Sequence, residues 1–376
     1  MKDNTIPKPR LEIKNFQPYI PGRPIEEVKN KFNLKNVFKL ASNENPLGCS
    51  KKIKPVLKNL FKLFHRYPEG SSLVLRKKIA KEFQISEKEV IIGAGTDELI
   101  ELVAKTYISK QDNIVVSEHA FIRYKMAGEL MGCKIISVPM KNYTHDLKTM
   151  AKQVNKSTKV VFIANPNNPT GTYNTVHEML SFLNYLNTKK LYPIVVVDEA
   201  YYEYAKINPD YPDSLKLRKL YPNLLILRTF SKIYGLAGLR VGFGISRKEI
   251  IYELDRVRPP FNVSVVSQYV ACKALEDKQH LKSSLNLVIK EKNFLYEKLK
   301  EINLKYIPSA TNFILINVSP YSGNQVFQRL LEYGIIVRAM DEYGFPDCIR
   351  VTIGTHKENV YFIRTLEKIM KERKKL

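Results

Sequence analysis

Short runs of apolar residues alternate with longer amphipathic segments between residues 71 and 245. The longer segments place apolar residues at helical spacing, as at Leu99, Ile100 and Val103, and therefore predict helices. The short runs are rich in β-branched residues, which is typical of parallel strands that are buried on both faces. Seven strands are predicted, at Val90–Ile92, Ile114–Val116, Lys134–Val138, Val160–Ala164, Ile194–Val197, Leu224–Leu227 and Val241–Ile245. We therefore expect an α/β fold with a mostly parallel seven-stranded sheet between helices.

The pattern changes on both sides of this region. Residues 1–36 are rich in proline and predict an irregular arm, apart from a short helix near Ile25–Lys31. Beyond residue 247, long helical patterns run to Glu301, and short strands near Phe313–Val318, Ile335–Val337 and Ile349–Ile353 then alternate with helices. We predict an N-terminal arm over residues 1–36, a large α/β domain over 37–250 and a small α+β domain over 251–376.

Size and composition narrow the class of protein. With 376 residues and 44% hydrophobic content, the chain can bury a sizeable core, and two lobes are expected. No run approaches the roughly 18–20 apolar residues of a membrane span, and the first residues lack the apolar centre of a secretion signal. The cysteines (Cys49, Cys133, Cys272 and Cys348) lie far apart, without a CxxC pair or clustered histidines. We expect reduced thiols in a cytoplasmic protein, with no metal site and no membrane.

The formal net charge of +24 raises the question of nucleic-acid binding. The lysines are spread over the whole chain, usually on the polar side of helical patterns such as Arg76–Lys81. No basic arm, zinc knuckle or aromatic stripe accompanies them. Nucleic acid is therefore not predicted as a partner, although the charge can attract anionic substrates.

The stretch Thr229–Arg240 contains the chemistry of a cofactor anchor. Lys232 follows the hydroxyl residues Thr229 and Ser231, and Arg240 comes eight residues later. Hydroxyls and a guanidinium can hold a phosphate, while a lysine amine can form a Schiff base with an aldehyde. Pyridoxal phosphate needs both. In a chain with 61 lysines and arginines, one such lysine is weak support until the other half of a site is found.

The second half of the predicted site follows another strand. Asp198 ends the apolar run Val195–Val197, and Tyr201 comes three residues later. A buried carboxylate needs a partner, and a protonated pyridine nitrogen would supply one. Tyr201 could reach the hydroxyl of the same ring. An acidic turn at a strand end is common, so this motif supports the cofactor only together with Lys232.

Three further turns follow predicted strands, where ligands bind in parallel sheets. Asn165–Gly171 contains two prolines that restrain the backbone, so an asparagine amide can be held towards a ligand. The glycines of Gly93–Glu98 let a backbone approach a phosphate at a helix start. Phe121, after Ser117, could stack on a flat ring. Neither GxGxxG nor GxxxxGK[ST] occurs, which argues against dinucleotide and P-loop sites.

Two arginines adjoin strands of the predicted small domain. Arg338 follows Ile335–Val337, and Arg350 precedes Val351–Ile353. Arginine makes paired hydrogen bonds with carboxylate or phosphate groups, so both residues are candidates for binding a substrate anion. Taken singly, each could equally be a surface arginine of a basic protein.

In this order, the motifs resemble those of fold-type I pyridoxal-phosphate enzymes, and in particular the histidinol-phosphate aminotransferases. The resemblance covers nearly the whole chain. It rests on Pro18–Tyr19, Leu40–Gly48, Arg66–Pro68, Gly95–Ile100, Asn165–Gly171, Val197–Tyr201, Arg228–Arg240, Pro260–Ser264, Thr311–Phe313 and Ile349–Gly354. The stretch Ser117–Phe121 departs from the family, because many relatives have Pro-Thr-aromatic there.

The resemblance implies a role for each candidate residue. Lys232 would bond to the cofactor and shuttle the proton, with Asp198 on the pyridine nitrogen and Tyr201 completing the catalytic set. Asn168 and Tyr201 would hold the ring oxygen, and Phe121 would stack on the ring. The phosphate would be held by Gly95, Thr96, Asp97, Thr229, Ser231, Arg240 and, from the partner subunit of a homodimer, Tyr67. The substrate would be bound by Tyr19, Asn43, Arg338 and Arg350.

The implied reaction is the transfer of an amino group from glutamate to imidazole acetol phosphate, which yields histidinol phosphate in histidine biosynthesis. Both substrates are anionic, which suits two arginines. An aromatic amino-acid aminotransferase is the closest alternative, because Tyr19, Phe121 and Tyr124 could line a pocket for either ring. A threonine-phosphate decarboxylase is a further alternative with the same cofactor. A transcription regulator would need an N-terminal helix-turn-helix, for which residues 1–36 are too short and too rich in proline.

Overall fold

The structure is a computed structural model that describes residues 7–13, 16, 18 and 22–372. Its helices span Ile25–Phe32, Lys54–Leu60, Leu73–Phe83, Gly95–Tyr107, Arg123–Met131, Leu147–Gln153, Val176–Thr188, Tyr202–Ala205, Ser214–Leu220, Lys248–Val257, Val265–Glu276, Lys278–Glu301, Gly323–Glu332 and His356–Lys371, numbered α1 to α14 in that order. Its strands span Phe38–Lys39, Val90–Gly93, Asn113–Ser117, Lys134–Val138, Met140–Lys141, Thr144–His145, Thr158–Ala164, Ile194–Asp198, Leu224–Thr229, Gly242–Ile245, Tyr306–Ile307, Phe313–Asn317, Ile335–Ile336, Arg338–Met340 and Phe345–Thr352, numbered β1 to β15.

The large sheet has seven strands in the order β2-β10-β9-β8-β7-β3-β4. Strand β10 runs antiparallel to both of its neighbours, and every other pairing in the sheet is parallel. The prediction of an α/β fold with a mostly parallel seven-stranded sheet is therefore confirmed. Each of the seven predicted apolar runs coincides with one of these strands.

Alternate residues of each strand point to opposite faces of the large sheet, and a layer of helices covers each face. In β7, Val161 and Ile163 pack with one layer, which includes α3, α7 and α11. Val160 and Phe162 pack with the other layer, which includes α4, α5 and α10. Burial on both faces explains why the inner strands are mostly apolar, whereas the edge strand β4 is only partly buried.

A smaller antiparallel sheet, in the order β11-β12-β15-β14, follows in the C-terminal part of the chain. Helix α13 packs against it, and α12 contacts α14 nearby. Strand β1 joins this part through a parallel pairing of Phe38–Lys39 with Ile335–Ile336. The division into residues 1–36, 37–250 and 251–376 stays a prediction, and the β1–β13 pairing links the second and third of these segments.

The parallel strands end at a common edge of the large sheet, and the predicted motifs lie there. The register pairs Ala164 of β7 with Asp198 of β8, and Asp198 with Leu227 of β9. The turns that follow these strands therefore start side by side. This edge is where open parallel sheets bind their ligands. In the part of the chain that the structure describes, no helix is long and apolar enough to cross a membrane.

A buried ion pair lies directly behind this edge. The Arg228 guanidinium on β9 lies 2.7 Å from a carboxylate oxygen of Glu199, and both side chains are almost fully buried. Ser214 donates a hydrogen bond of 2.6 Å to the same carboxylate, and the guanidinium lies 3.5 Å from the ring centre of Tyr202. The pair joins the ends of β8 and β9, where the site is built.

Replacement of one partner should therefore destabilise the protein strongly. Arg228→Met leaves the Glu199 carboxylate buried without its counter-ion, and we expect the free energy of unfolding to fall by about 3–5 kcal/mol. Urea denaturation measures this change. Arg256→Ala is the control, because its ion pair with Glu253 is exposed and should matter little. Equal stability of the two variants would contradict this role of the pair.

Candidate active site

A cavity of about 260 Å³ lies at the carboxyl edge of the large sheet. Most of the predicted cofactor residues line it, although they come from separate stretches of the chain. They are Thr96, Asp97, Phe121, Asn168, Asp198, Tyr201, Thr229, Ser231, Lys232 and Arg240. The structure therefore places Lys232 and Asp198 around one space.

A second, smaller cavity of about 190 Å³ adjoins the first. The two share Ser42, Asp97, Phe121, Asn168, Tyr201 and Lys232 as lining residues. The second cavity adds three of the residues that were predicted to bind substrate, Asn43, Arg338 and Arg350. Lys232 thus lines both cavities.

The Lys232 amine has the environment of a nucleophile. Its Nζ donates a hydrogen bond of 3.2 Å to the carbonyl oxygen of Ser42. Burial, assisted by the positive charge of Arg350, lowers the pKa of Lys232 to about 8. A substantial fraction of this amine is therefore neutral near physiological pH, and the neutral form is the one that attacks a carbonyl carbon.

The Asp198 carboxyl is buried at the end of β8, where burial raises its pKa to about 6. Among the described residues, its two oxygens accept hydrogen bonds from neutral groups. The Tyr124 hydroxyl lies 2.8 Å from one oxygen, and the Ala200 amide nitrogen lies 3.1 Å from the other. Neutral donors leave the charge of a carboxylate uncompensated. A cationic ring nitrogen in the cavity would compensate it.

A third group of residues suits a phosphate. Helix α4 begins at Gly95, so its first amide N–H groups lack helical partners. Gly95 has φ of +79°, and a Cβ atom there would lie 2.7 Å from Nη2 of Arg240. A side chain at residue 95 would therefore strain the backbone and crowd the guanidinium. Arg240 Nη1 lies 3.5 Å from the Ser231 hydroxyl. The backbone N–H of Ser231 donates a hydrogen bond of 3.0 Å to Thr229 Oγ1.

Tyr201 is held by Asn43. The Asn43 side-chain amide donates a hydrogen bond of 2.7 Å to the Tyr201 hydroxyl, and Thr352 donates to the Asn43 amide oxygen at 3.2 Å. Burial raises the pKa of Tyr201 to about 12, so this hydroxyl stays protonated and can donate a hydrogen bond. Asn43 was predicted to bind substrate. It lines the second cavity, but its amide nitrogen is directed at Tyr201.

The two candidate arginines are direct neighbours across the small sheet, because Arg338 of β14 pairs with Arg350 of β15. Arg350 donates to the Ala41 carbonyl at 2.7 Å and also contacts the Asn168 side-chain oxygen. Arg338 pairs with Glu342 at 2.7 Å. Like charges opposite each other in a sheet repel, and an anion bound between them relieves that repulsion.

Among the described residues, Gly95 and Tyr67 are predicted site residues that line neither cavity. The Tyr67 side chain is 83% exposed and stacks on Phe261, with 4.7 Å between ring centres. Its predicted role from a partner subunit stays a prediction. Tyr19 lies outside the residues that the structure describes.

Tyr124 is the site residue that the sequence analysis assigned incompletely. It was considered as an aromatic wall, but its hydroxyl bonds to Asp198. Its spacing of three residues from Phe121 was an available signal, because that spacing places two side chains on one side of a helical turn. The backbone carbonyl of Ser42, which accepts from Lys232, carries no such signal.

The residues around the two cavities fit pyridoxal phosphate. A neutralisable amine, a buried carboxyl whose donors among the described residues are neutral, and a helix start that is suited to a phosphate surround one space. Phe121 supplies an aromatic surface in the same cavity. The adjoining cavity offers two arginines to an anionic substrate.

Known proteins resemble this chain over nearly its whole length. The model of the family "Aminotransferase class I and II" matches residues 35–366. A histidinol-phosphate aminotransferase of Caldicellulosiruptor saccharolyticus is 42% identical over 361 residues, which cover 96% of this chain and 99% of the relative. That of Moorella thermoacetica is 43% identical over 367 residues, covering 97% and 94%. The crystal structure of the Sinorhizobium meliloti histidinol-phosphate aminotransferase with pyridoxal-5'-phosphate matches the fold with a TM-score of 0.88, at 22% identity and with 98% and 99% coverage.

The environment of Lys232 predicts how its reactivity depends on pH. The pKa of Lys232 in the folded protein is lowered to about 8, so the amine is mostly neutral above that pH. We therefore expect its acetylation rate to rise with a midpoint near pH 8. Ordinary exposed lysines have a pKa of about 10.4. Competitive labelling of the apoprotein with acetic anhydride, followed by peptide mass analysis, measures the profile.

Arg350→Gln serves as the comparison, because Arg350 contributes to the lowered pKa and its removal should move the midpoint upwards. A Lys232 profile that coincides with those of exposed lysines would contradict the proposed environment.

Proposed function

Because the chain belongs to the class I and II aminotransferases, and within them to the histidinol-phosphate aminotransferase family, we propose that it uses pyridoxal phosphate to exchange an amino group between histidinol phosphate and 2-oxoglutarate. This reaction serves histidine biosynthesis. The observation that supports it best is the placement of Lys232 and Asp198 around one cavity, with Arg338 and Arg350 in the adjoining one.

When bound, pyridoxal phosphate supplies an electron sink that makes the Cα–H bond of an attached amino compound acidic. In this proposal Lys232 holds the cofactor at its aldehyde and later moves the proton at the substrate Cα. Its lowered pKa suits that exchange, because the amine both accepts and releases a proton near neutral pH. Asp198 faces the ring nitrogen and favours its protonated form.

The remaining residues orient and hold the cofactor. Phe121 would stack on the ring, and Asn168 and Tyr201 would donate to its oxygen. Asn43 acts through Tyr201, whose hydroxyl it contacts. The phosphate is held by the backbone N–H groups of Gly95, Thr96 and Asp97 together with Thr229, Ser231 and Arg240. The contact between Arg350 and Asn168 links this set to the substrate cavity.

Arg338 and Arg350 bind the substrate anion in both directions of the reaction. One substrate presents carboxylates and the other a phosphate, and a guanidinium makes paired hydrogen bonds with either. Their cross-strand pairing places both side chains on the same face of the small sheet.

We also propose that the enzyme is a homodimer with shared active sites. Large apolar side chains between residues 57 and 74 are exposed, including Phe61, Phe64 and Tyr67, and the partly exposed Phe261 ring stacks on Tyr67. Exposed large apolar side chains in one stretch of chain are typical of an interaction surface. Tyr67 of the partner subunit would then reach the phosphate. A cytoplasmic location is part of the proposal, supported by four free cysteines.

Loss of the Lys232 amine should abolish both cofactor attachment and transamination. Wild-type protein is expected to be yellow and to turn over histidinol phosphate with 2-oxoglutarate in preference to phenylalanine or phosphothreonine. Lys232→Ala should be folded, colourless and inactive, as measured by absorbance and by glutamate formation. Lys292→Ala is the matched control, because burial lowers the pKa of Lys292 to about 8 as well, but this residue lies outside both cavities.

A fully active Lys232→Ala protein would contradict the cofactor role. A preference for phenylalanine would favour the aromatic aminotransferase, and carbon dioxide release from phosphothreonine would favour the decarboxylase.

Removal of either arginine should weaken substrate binding more than cofactor binding. For Arg338→Ala and Arg350→Ala we expect KM for both anionic substrates to rise about 10- to 100-fold, the range for loss of a charge-assisted hydrogen bond. Arg256→Ala, at an exposed ion pair, is the control. Steady-state kinetics and cofactor absorbance separate the two effects. Unchanged KM in both variants would remove the proposed role in anion binding.

A further inference from the structure

We infer that Tyr124 is a positioning residue for the cofactor, because its hydroxyl holds the Asp198 carboxylate towards the ring nitrogen. The inference rests on the proposed function, since it needs a ring nitrogen in the cavity. It adds a residue that contacts Asp198 directly and that the sequence suggested only as a wall of a ring pocket.

The hydrogen bonds at Asp198 fix the plane of its carboxylate. Tyr124 donates to Oδ2 at 2.8 Å, and the Ala200 N–H donates to Oδ1 at 3.1 Å. One donor on each oxygen prevents rotation of the group about its Cβ–Cγ bond. A carboxylate can accept about four hydrogen bonds, so each oxygen keeps capacity for a donor from the cavity.

Tyr124 is itself held rigidly. Its side chain is 1% exposed, and its ring stacks on Phe162 of β7 with 4.9 Å between centres and 7° between planes. The same ring meets Phe121 edge to face, with 5.7 Å between centres and 85° between planes. Tyr124 therefore contacts both the acid and the aromatic residue that are proposed to bind the cofactor ring. A donor held by two rings keeps the geometry of its hydrogen bond.

The Tyr124 hydroxyl stabilises the ionised form of Asp198. Burial raises the pKa of this carboxyl to about 6, and the hydrogen bond from Tyr124 opposes that shift because it stabilises the ionised form. Nearby Asp97 and Glu199 also raise the pKa of Asp198. Burial holds the pKa of Tyr124 well above its usual range, so the hydroxyl remains a donor. Without it, the carboxyl would be protonated more readily and would pair less well with a cationic ring nitrogen.

The test uses Tyr124→Phe, which keeps both ring contacts and removes only the hydroxyl. Apoprotein is titrated with pyridoxal phosphate and, separately, with deazapyridoxal phosphate, which has C–H in place of the ring nitrogen. We expect the variant to bind pyridoxal phosphate about 10-fold more weakly, the lower range for loss of a hydrogen bond to a charged group. Binding of the deaza analogue should change less than about twofold, because Asp198 has no cation to pair with there.

Two further variants test whether Tyr124 affects cofactor binding through Asp198. In Asp198→Asn the carboxylate is absent, so addition of Tyr124→Phe should cause no further loss of pyridoxal-phosphate affinity. Tyr204→Phe is the matched control. Tyr204 is as deeply buried as Tyr124, its hydroxyl has no hydrogen-bond partner among the described residues, and it does not line the first cavity. Its replacement should leave the affinity for both compounds unchanged.

Equal loss of affinity for the two compounds in Tyr124→Phe would overturn the inference, because it would show a general packing defect. Unchanged affinity for both would also overturn it. If wild-type apoprotein binds neither compound, the proposed function fails and the inference fails with it. If wild-type protein binds pyridoxal phosphate normally and Tyr124→Phe does the same, only the inference fails.

Discussion

A carboxyl and an amine buried at one edge of a sheet destabilise the protein unless each finds a partner. Asp198 and Lys232 are such a pair of groups, and their environments move both pKa values towards neutrality, to about 6 and about 8. The donors to Asp198 are neutral, and the Lys232 amine donates to a backbone carbonyl. A cofactor that presents a ring nitrogen to one group and an aldehyde to the other resolves both costs.

The rest of the fold supports this arrangement. The parallel register of β7, β8 and β9 brings Ala164, Asp198 and Leu227 level with one another, so the turns that follow them surround one space. The buried pair of Arg228 and Glu199 joins two of these strand ends from behind. The small sheet contributes Arg338 and Arg350 from directly opposed positions. The proposed cofactor and substrate residues therefore come from two sheets, and Lys232 lines both of the adjoining cavities.

Much of this architecture was predictable because apolar runs report burial on both faces. The seven strands of the large sheet were found in this way, and the cofactor motifs at Asn168, Asp198 and Lys232 were located from the strands that precede them. Strand direction was not available from the same signal, since hydrophobic periodicity does not distinguish parallel from antiparallel neighbours. The antiparallel direction of β10 therefore became known only from the structure, as did the parallel pairing of β1 with the predicted strand β13.

The features of the site also divide into those that the sequence predicts and those that only the structure shows. Residues in compact motifs, such as Lys232 and Asn168, could be assigned from their neighbours in sequence. The bond from Tyr124 to Asp198 joins residues 74 positions apart, and no local pattern contains it. The direction of the Asn43 amide towards Tyr201 depends in the same way on tertiary packing, because these residues are 158 positions apart.

The most direct test is to find which lysine carries the cofactor. Wild-type protein would be saturated with pyridoxal phosphate, treated with borohydride so that any bond between a lysine and the cofactor becomes irreversible, and digested for peptide mass analysis. The account predicts that the label lies on Lys232 alone. A label on Lys292 or another lysine, or no label at all, would contradict it.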